Sequence, residues 1–116
     1  MRKTDKKREN QIRMALTEVC EASLKSFSGF QWLTHLVDYS HFPNSLNVVC
    51  IFDTNDHLDR FMVTQQQELA HLIQKKLFEI DVVLKKIDSH ITYDTEEKCQ
   101  QYHNGKWAER LKTSDY

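Results

Sequence analysis

Apolar residues recur along the chain in blocks whose period changes from helical to strand-like and back. Between Asp5 and Lys25, Ile12, Leu16, Val19 and Ala22 or Ser23 follow at three- and four-residue steps, with Arg13, Glu18 and Glu21 on other faces. That spacing predicts an amphipathic helix. Ser26, Ser28 and Gly29 end it, because glycine takes the left-handed conformations that stop helices. Phe30 to Tyr39 is rich in aromatic and β-branched residues, and in Leu46 to Phe52 only Asn47 interrupts the apolar run. Both read as strands, the second as a central strand covered on both faces. His41-Phe42-Pro43-Asn44-Ser45 between them has turn chemistry, which predicts an antiparallel hairpin with a loop of about five residues.

After the hairpin, Asp53-Thr54-Asn55-Asp56 supplies N-cap residues for a long helical stripe of Leu58, Phe61, Met62, Leu69, Leu72, Ile73 and Leu77. Gln65 and Gln66 fall where that stripe expects apolar side chains, so Thr64 to Gln67 is read as a kink or a break. Val82-Val83-Leu84 and then Ile87 to Tyr93 form the third strand region. Asp94-Thr95-Glu96-Glu97 is a second cap-like cluster, opening a short helix that Asn104-Gly105 closes as a left-handed cap. Trp107, Ala108 and Leu111 then dock on the body. The expected fold is α+β: a three-stranded sheet with helices packed on one face, in the order α-β-β-α(kinked)-β, plus a short C-terminal helical segment. Residues 1–8 are expected as a basic flexible arm and 9–116 as one α+β domain.

Composition narrows the class. A chain of 116 residues with 40% apolar content builds one core without disulfides or metal, and two glycines and one proline argue against long linkers. No run approaches the roughly 18–20 apolar residues of a membrane span, and the basic N-terminus has no apolar signal core. A cytoplasmic protein that binds no membrane is the expectation. Cys20, Cys50 and Cys99 form no CxxC, and Cys20 and Cys50 read as reduced, buried residues.

Net charge is −1 but unevenly spread. Residues 1–8 hold five basic residues and one acidic, giving +4; the remainder holds eleven basic and sixteen acidic, giving −5. The arm Arg2, Lys3, Lys6, Lys7 and Arg8 reads either as a solvated terminus or as an arm draped over nucleic acid or an acidic partner. Lys75-Lys76 and Lys85-Lys86 are further local clusters. Catalytic chemistry finds no motif: the six histidines show no HExxH or other metal spacing, and no serine has nucleophile-elbow context. Asp53, Asp56 and Asp59 suit helix capping better than cation binding. The expectation is a non-enzymatic protein with no catalytic residues, no cofactor and no metal.

Aromatic residues crowd the hairpin. Trp32, Thr34, Leu36 and Asp38 alternate with Leu33, His35, Val37 and Tyr39, so both faces of this strand are partly apolar. Either the C-terminal segment covers the second face or that face is an interface, for a protein partner or a second copy. Trp32, Tyr39, Lys85 and Lys86 join the arm as candidate nucleic-acid or partner-binding residues.

A helix followed by "GFQWLTHLVDYSHFPNSLNVVCIFD", a helix, and "VVLKKIDSHITYDTEE" resembles ribosome-binding factor A and the type II KH fold. The resemblance covers about residues 5 to 97 and rests on element order: a glycine-led hairpin with a proline near its turn, a kinked helical stretch, then the strand Ile91 to Thr95. It implies a bacterial accessory factor that binds a ribosomal subunit or RNA. One departure stands out. KH domains that grip RNA use a GxxG loop between helices, whereas here Val63-Thr64-Gln65-Gln66 stands at that place, too bulky for close backbone approach to phosphate. A second expectation is a protein-interaction or transcription-regulatory module, homodimeric through the hairpin face.

Overall fold

The computed structural model describes residues 2–113. Helix α1 (Lys3–Ser26) leads into strand β1 (Phe30–Leu36), which pairs antiparallel with β2 (Asn47–Phe52). Helices α2 (Asn55–Thr64) and α3 (Gln66–Phe78) follow, and strand β3 (Ile91–Thr95) returns parallel to β2. Helices α4 (Glu96–His103) and α5 (Trp107–Thr113) complete the chain. The sheet order β1-β2-β3 makes β2 central, and its residues Val48 to Phe52 are all fully buried. The near-continuous apolar run is the reason: β2 is covered on both faces, as the sequence pattern anticipates.

One face carries the main core. Val48, Cys50 and Phe52 of β2 meet Ile12, Leu16 and Val19 of α1, Phe61 of α2 and Leu69, Ile73 and Leu77 of α3 in one cluster. Phe61 binds its parts together, contacting Phe27, Phe52 and Tyr93 at ring separations of 5.3, 4.6 and 5.6 Å. The register sets Trp32 beside Ile51 and Ile51 beside Asp94, so these share the opposite face. There α5 docks, as expected for Trp107, which packs edge-on to Trp32 with centroids 5.1 Å apart.

The glutamine-rich stretch is a true break. Helix α2 ends at Thr64, and Gln65, at φ −130°, ψ 1°, separates it from α3. Gln66 explains its own place on the apolar stripe: its amide donates to Asp88 and to the Tyr93 hydroxyl at 3.1 and 3.4 Å. Thr54 caps α2 and Thr95 caps α4, each hydroxyl accepting the backbone N–H three residues on. Helix α4 ends through Asn104 and Gly105 at φ 52° and 77°, the expected left-handed cap.

Three expectations need correction. Strand β1 stops at Leu36 rather than Tyr39, because the Asp38 carboxylate accepts the Ser40 N–H and starts a 3-10 turn over Tyr39–His41. The hairpin loop therefore spans 37–46 and is twice the expected length. The third strand begins only at Ile91, since Ile87–His90 is a 3-10 turn and Val82 to Leu84 an irregular strap. Asp81 makes that strap possible: at φ 65° it ends the α3 segment in a left-handed turn, with Asp81 N–H donating to Phe78 and Val82 N–H to Leu77.

Candidate cationic surface

Topology gathers one end of the molecule from four pieces: the start of α1, the 37–46 loop, the turn after α3 and the approach to β3. Residues 3–8, expected as an arm, are the first turns of α1. Arg2, Lys3, Lys6 and Lys7 are exposed on it, and Arg8 lies 4.5 Å over the Phe42 ring. Phe42 stacks in turn on Tyr39, with centroids 5.6 Å apart. Asn44 of the same loop lines a cleft of about 490 Å³ with Lys85, Lys86 and His90. The 37–46 loop thus meets the arm at Phe42 and the lysine cleft at Asn44.

Helix α1 breaks a local rule here. A helix N-terminus carries partial positive charge and favours carboxylates, yet this first turn holds one acid, Asp5, among the basic residues. No side chain caps it at Arg2. By contrast, acids stand at the starts of α2 and α4 and lysines at the end of α3, as the macrodipole prefers. Among the described residues no ion pair engages Lys3, Lys6, Lys7, Lys85 or Lys86, so these charges face solvent. Several carboxylates share this end, and three are held internally. Glu9 binds His35 and Tyr39, Asp38 binds His41, and Asp88 accepts from Gln66.

Glu9 anchors α1 to the sheet. His35 Nε2 donates to its two oxygens at 2.9 and 3.1 Å, and the Tyr39 hydroxyl donates at 2.6 Å. Burial works to raise the Glu9 pKa, but these hydrogen bonds and the nearby positive charges outweigh it and hold the carboxyl below its ordinary range. Burial and the Glu9 hydrogen bond push the Tyr39 phenol the other way, well up. Tyr39 is therefore committed on its ring and its hydroxyl, and contributes to the surface by supporting Phe42.

Trp32 lies elsewhere, on the sheet face that α5 covers. Its indole N–H donates to Glu96 Oε1 at 2.7 Å, and the Trp107 N–H donates to the same oxygen at 3.0 Å. Arg110 completes the attachment by binding both oxygens of Asp94, at 2.6 and 2.9 Å, on the face Trp32 occupies. The sequence left that face open between an internal cover and an interface; at Trp32 it is covered internally.

The acidic residues 53–59 serve the helix start. Asp53 Oδ1 accepts from Thr54 N–H and from His57 Nδ1, and Glu97 accepts the Asn55 N–H. Burial raises the Asp53 pKa, but the His57 bond and the backbone donors outweigh it and bring the carboxyl below its usual value. Among the described residues no three His, Cys, Asp or Glu side chains are placed to hold a metal ion. No described helix is long and apolar enough to cross a membrane. Burial raises the Cys50 thiol pKa strongly, which makes it a poor nucleophile.

The arm, the lysine loop and the hairpin aromatic Phe42 stand out in the sequence, whereas Phe78 and Val83 do not. Phe78 lies off the buried stripe of α3 (Leu69, Ala70, Ile73 and Leu77), on the side that carries His71, Gln74 and Lys75, and is 62% exposed. Comparison with protein-family models, with curated proteins and with solved structures finds no match for this chain.

Proposed function

We propose that this chain is a small, non-enzymatic, cytoplasmic binding protein that associates with RNA, as a ribosome-type accessory factor, through the cationic end built from α1 and the Lys85-Lys86 loop. The observation that carries the reading is the placement of Lys3, Lys6, Lys7 and Arg8 at the N-terminus of α1, against its macrodipole. Charge held where the fold disfavours it points to a use outside the fold. The order helix, hairpin, broken helix, strand supports the same reading through its resemblance to ribosome-binding factor A. The α2–α3 junction offers no glycine, so backbone contact with phosphate at that point has no part in the proposal. Self-association through the hairpin face has less to support it, because Trp107 occupies Trp32 there.

Cosedimentation with ribosomal subunits and with purified RNA across a salt series tests this reading. Phosphate contacts release counterions, so retention falls steeply as salt rises. Retention that ignores salt, or none at low salt, removes the proposal.

A further inference from the structure

Beside the lysine loop a second cleft, of about 480 Å³, runs between α3 and the strap 82–84. Its walls carry His71, Lys75, Phe78, Val83 and Lys85. It shares Val83, Leu84 and Lys85 with the cleft at Asn44, so the two adjoin along the strap as halves of one grooved surface. Both walls are fixed: Gln74 donates to the Leu84 carbonyl at 2.7 Å, and His90 donates to the Leu46 carbonyl at 2.7 Å.

Two features set this groove apart. The first is charge. Each of the other three clefts described has a carboxylate in its lining beside its lysine or arginine: Glu18 and Glu79 beside Lys76, Glu21 in the cleft of Arg13, and Glu18 and Glu21 in the cleft of Lys25. The two halves of this groove bring Lys75, Lys85, Lys86, His71 and His90 with no carboxylate in the lining. The second is an open aromatic face. Phe78 is 62% and Val83 53% exposed, and both line the same cleft as Lys75 and Lys85. Cations with no anion beside an exposed ring match a ligand that is both anionic and flat.

We infer that this groove seats an unpaired nucleotide of a single-stranded nucleic acid, with Phe78 as the stacking platform and Lys75, Lys85 and Lys86 on the flanking phosphates. The inference rests on the RNA-binding reading and gives it a base-contacting site distinct from the arm. A duplex hides its base faces and gains only the phosphate contacts.

The test uses the full chain and fluorescein-labelled oligouridine of about ten nucleotides, with an oligothymidine DNA of equal length and a duplex as further arms. Phe78→Leu keeps an apolar side chain and removes the ring face, whereas Phe78→Tyr keeps the face. The inference predicts a loss of about tenfold or more for Phe78→Leu and near-native affinity for Phe78→Tyr. Circular dichroism of both variants controls for folding, which the exposed position favours. Native affinity in Phe78→Leu, with affinity lost on replacing Lys6 and Lys7, overturns the groove and leaves the RNA reading standing. Equal affinity for the duplex also overturns the groove. Binding of the DNA but not the RNA, with the same Phe78 dependence, supports the groove and removes the RNA reading. No binding of any oligonucleotide by the native chain removes both.

Discussion

Arg110 grips both carboxylate oxygens of Asp94, a residue 4% exposed at its side chain, and so fastens the last described helix to the second face of the sheet. The Arg110 side chain is itself only 12% exposed, and its guanidinium also donates to His103. Removing one member of such a pair strands the other charge away from water, typically costing about 3–5 kcal/mol. Arg110→Met is expected to lower unfolding stability by that order in denaturant titration. The two tryptophans of the chain meet at this site, so released α5 registers as a red-shifted, solvent-exposed emission before the global transition.

Glu9 makes stability depend on pH. Its folded pKa lies below the ordinary value of 4.5, so its contribution is present above that value and disappears as pH falls through the lower folded pKa. Hydrogen bonds to a charged group are worth about 1.5–3 kcal/mol, and Glu9→Gln is expected to lose up to that order near pH 7. The difference between native chain and variant narrows below pH 4.5. Urea midpoints measured from pH 7 to pH 3 check this; a constant difference across that range contradicts it.

The two glycines separate by what surrounds them. Both have positive φ, but a Cβ on Gly29 meets His57 Cβ at 2.6 Å and Asp53 Oδ1 at 2.7 Å. At Gly105 the near atom is the flexible end of Gln100. Gly105→Ala is expected to cost only the left-handed penalty of about 1–2 kcal/mol. Gly29→Ala adds overpacking of about 1–3 kcal/mol against the capped start of α2. Thermal melts of the two variants rank them.

Ser23 offers the opposite sign. It is fully buried in α1, and its hydroxyl has no hydrogen-bond partner among the described residues. An unsatisfied buried polar group costs about 1–3 kcal/mol, and alanine differs from serine by little volume. Ser23→Ala is expected to raise the melting temperature; an unchanged or lower one shows that the hydroxyl is satisfied.

Much of the architecture is legible in the residues because local and global preferences agree. The apolar run Leu46 to Phe52, the caps at Thr54 and Thr95 and the Asn104-Gly105 turn each point to one structure. Boundaries were less readable where a side chain outcompetes the strand ladder. Asp38 pulls Tyr39 into a turn, and nothing in the alternation from Phe30 to Tyr39 signals it. The pairing of Trp32 with Trp107 joins residues 75 positions apart and follows from the fold of α4 and α5 rather than from any local pattern. The cationic surface was half legible. Its lysines stand in the sequence, but their convergence needs α1 and α3 to run antiparallel, as the Glu18–Lys76 ion pair and the Met14–Ile80 cleft require.

The central claim is that the α1 terminus and the Lys85-Lys86 loop act as one phosphate-binding surface, and the salt dependence of affinity measures it most directly. For single strands the slope of log K against log salt is about −0.7 per phosphate neutralised. Replacing Lys6 and Lys7 by alanine, or Lys85 and Lys86, is expected to flatten the native slope by about 1.4 each, and all four together by about twice that. A native slope near zero, or one that none of these replacements changes, contradicts the claim.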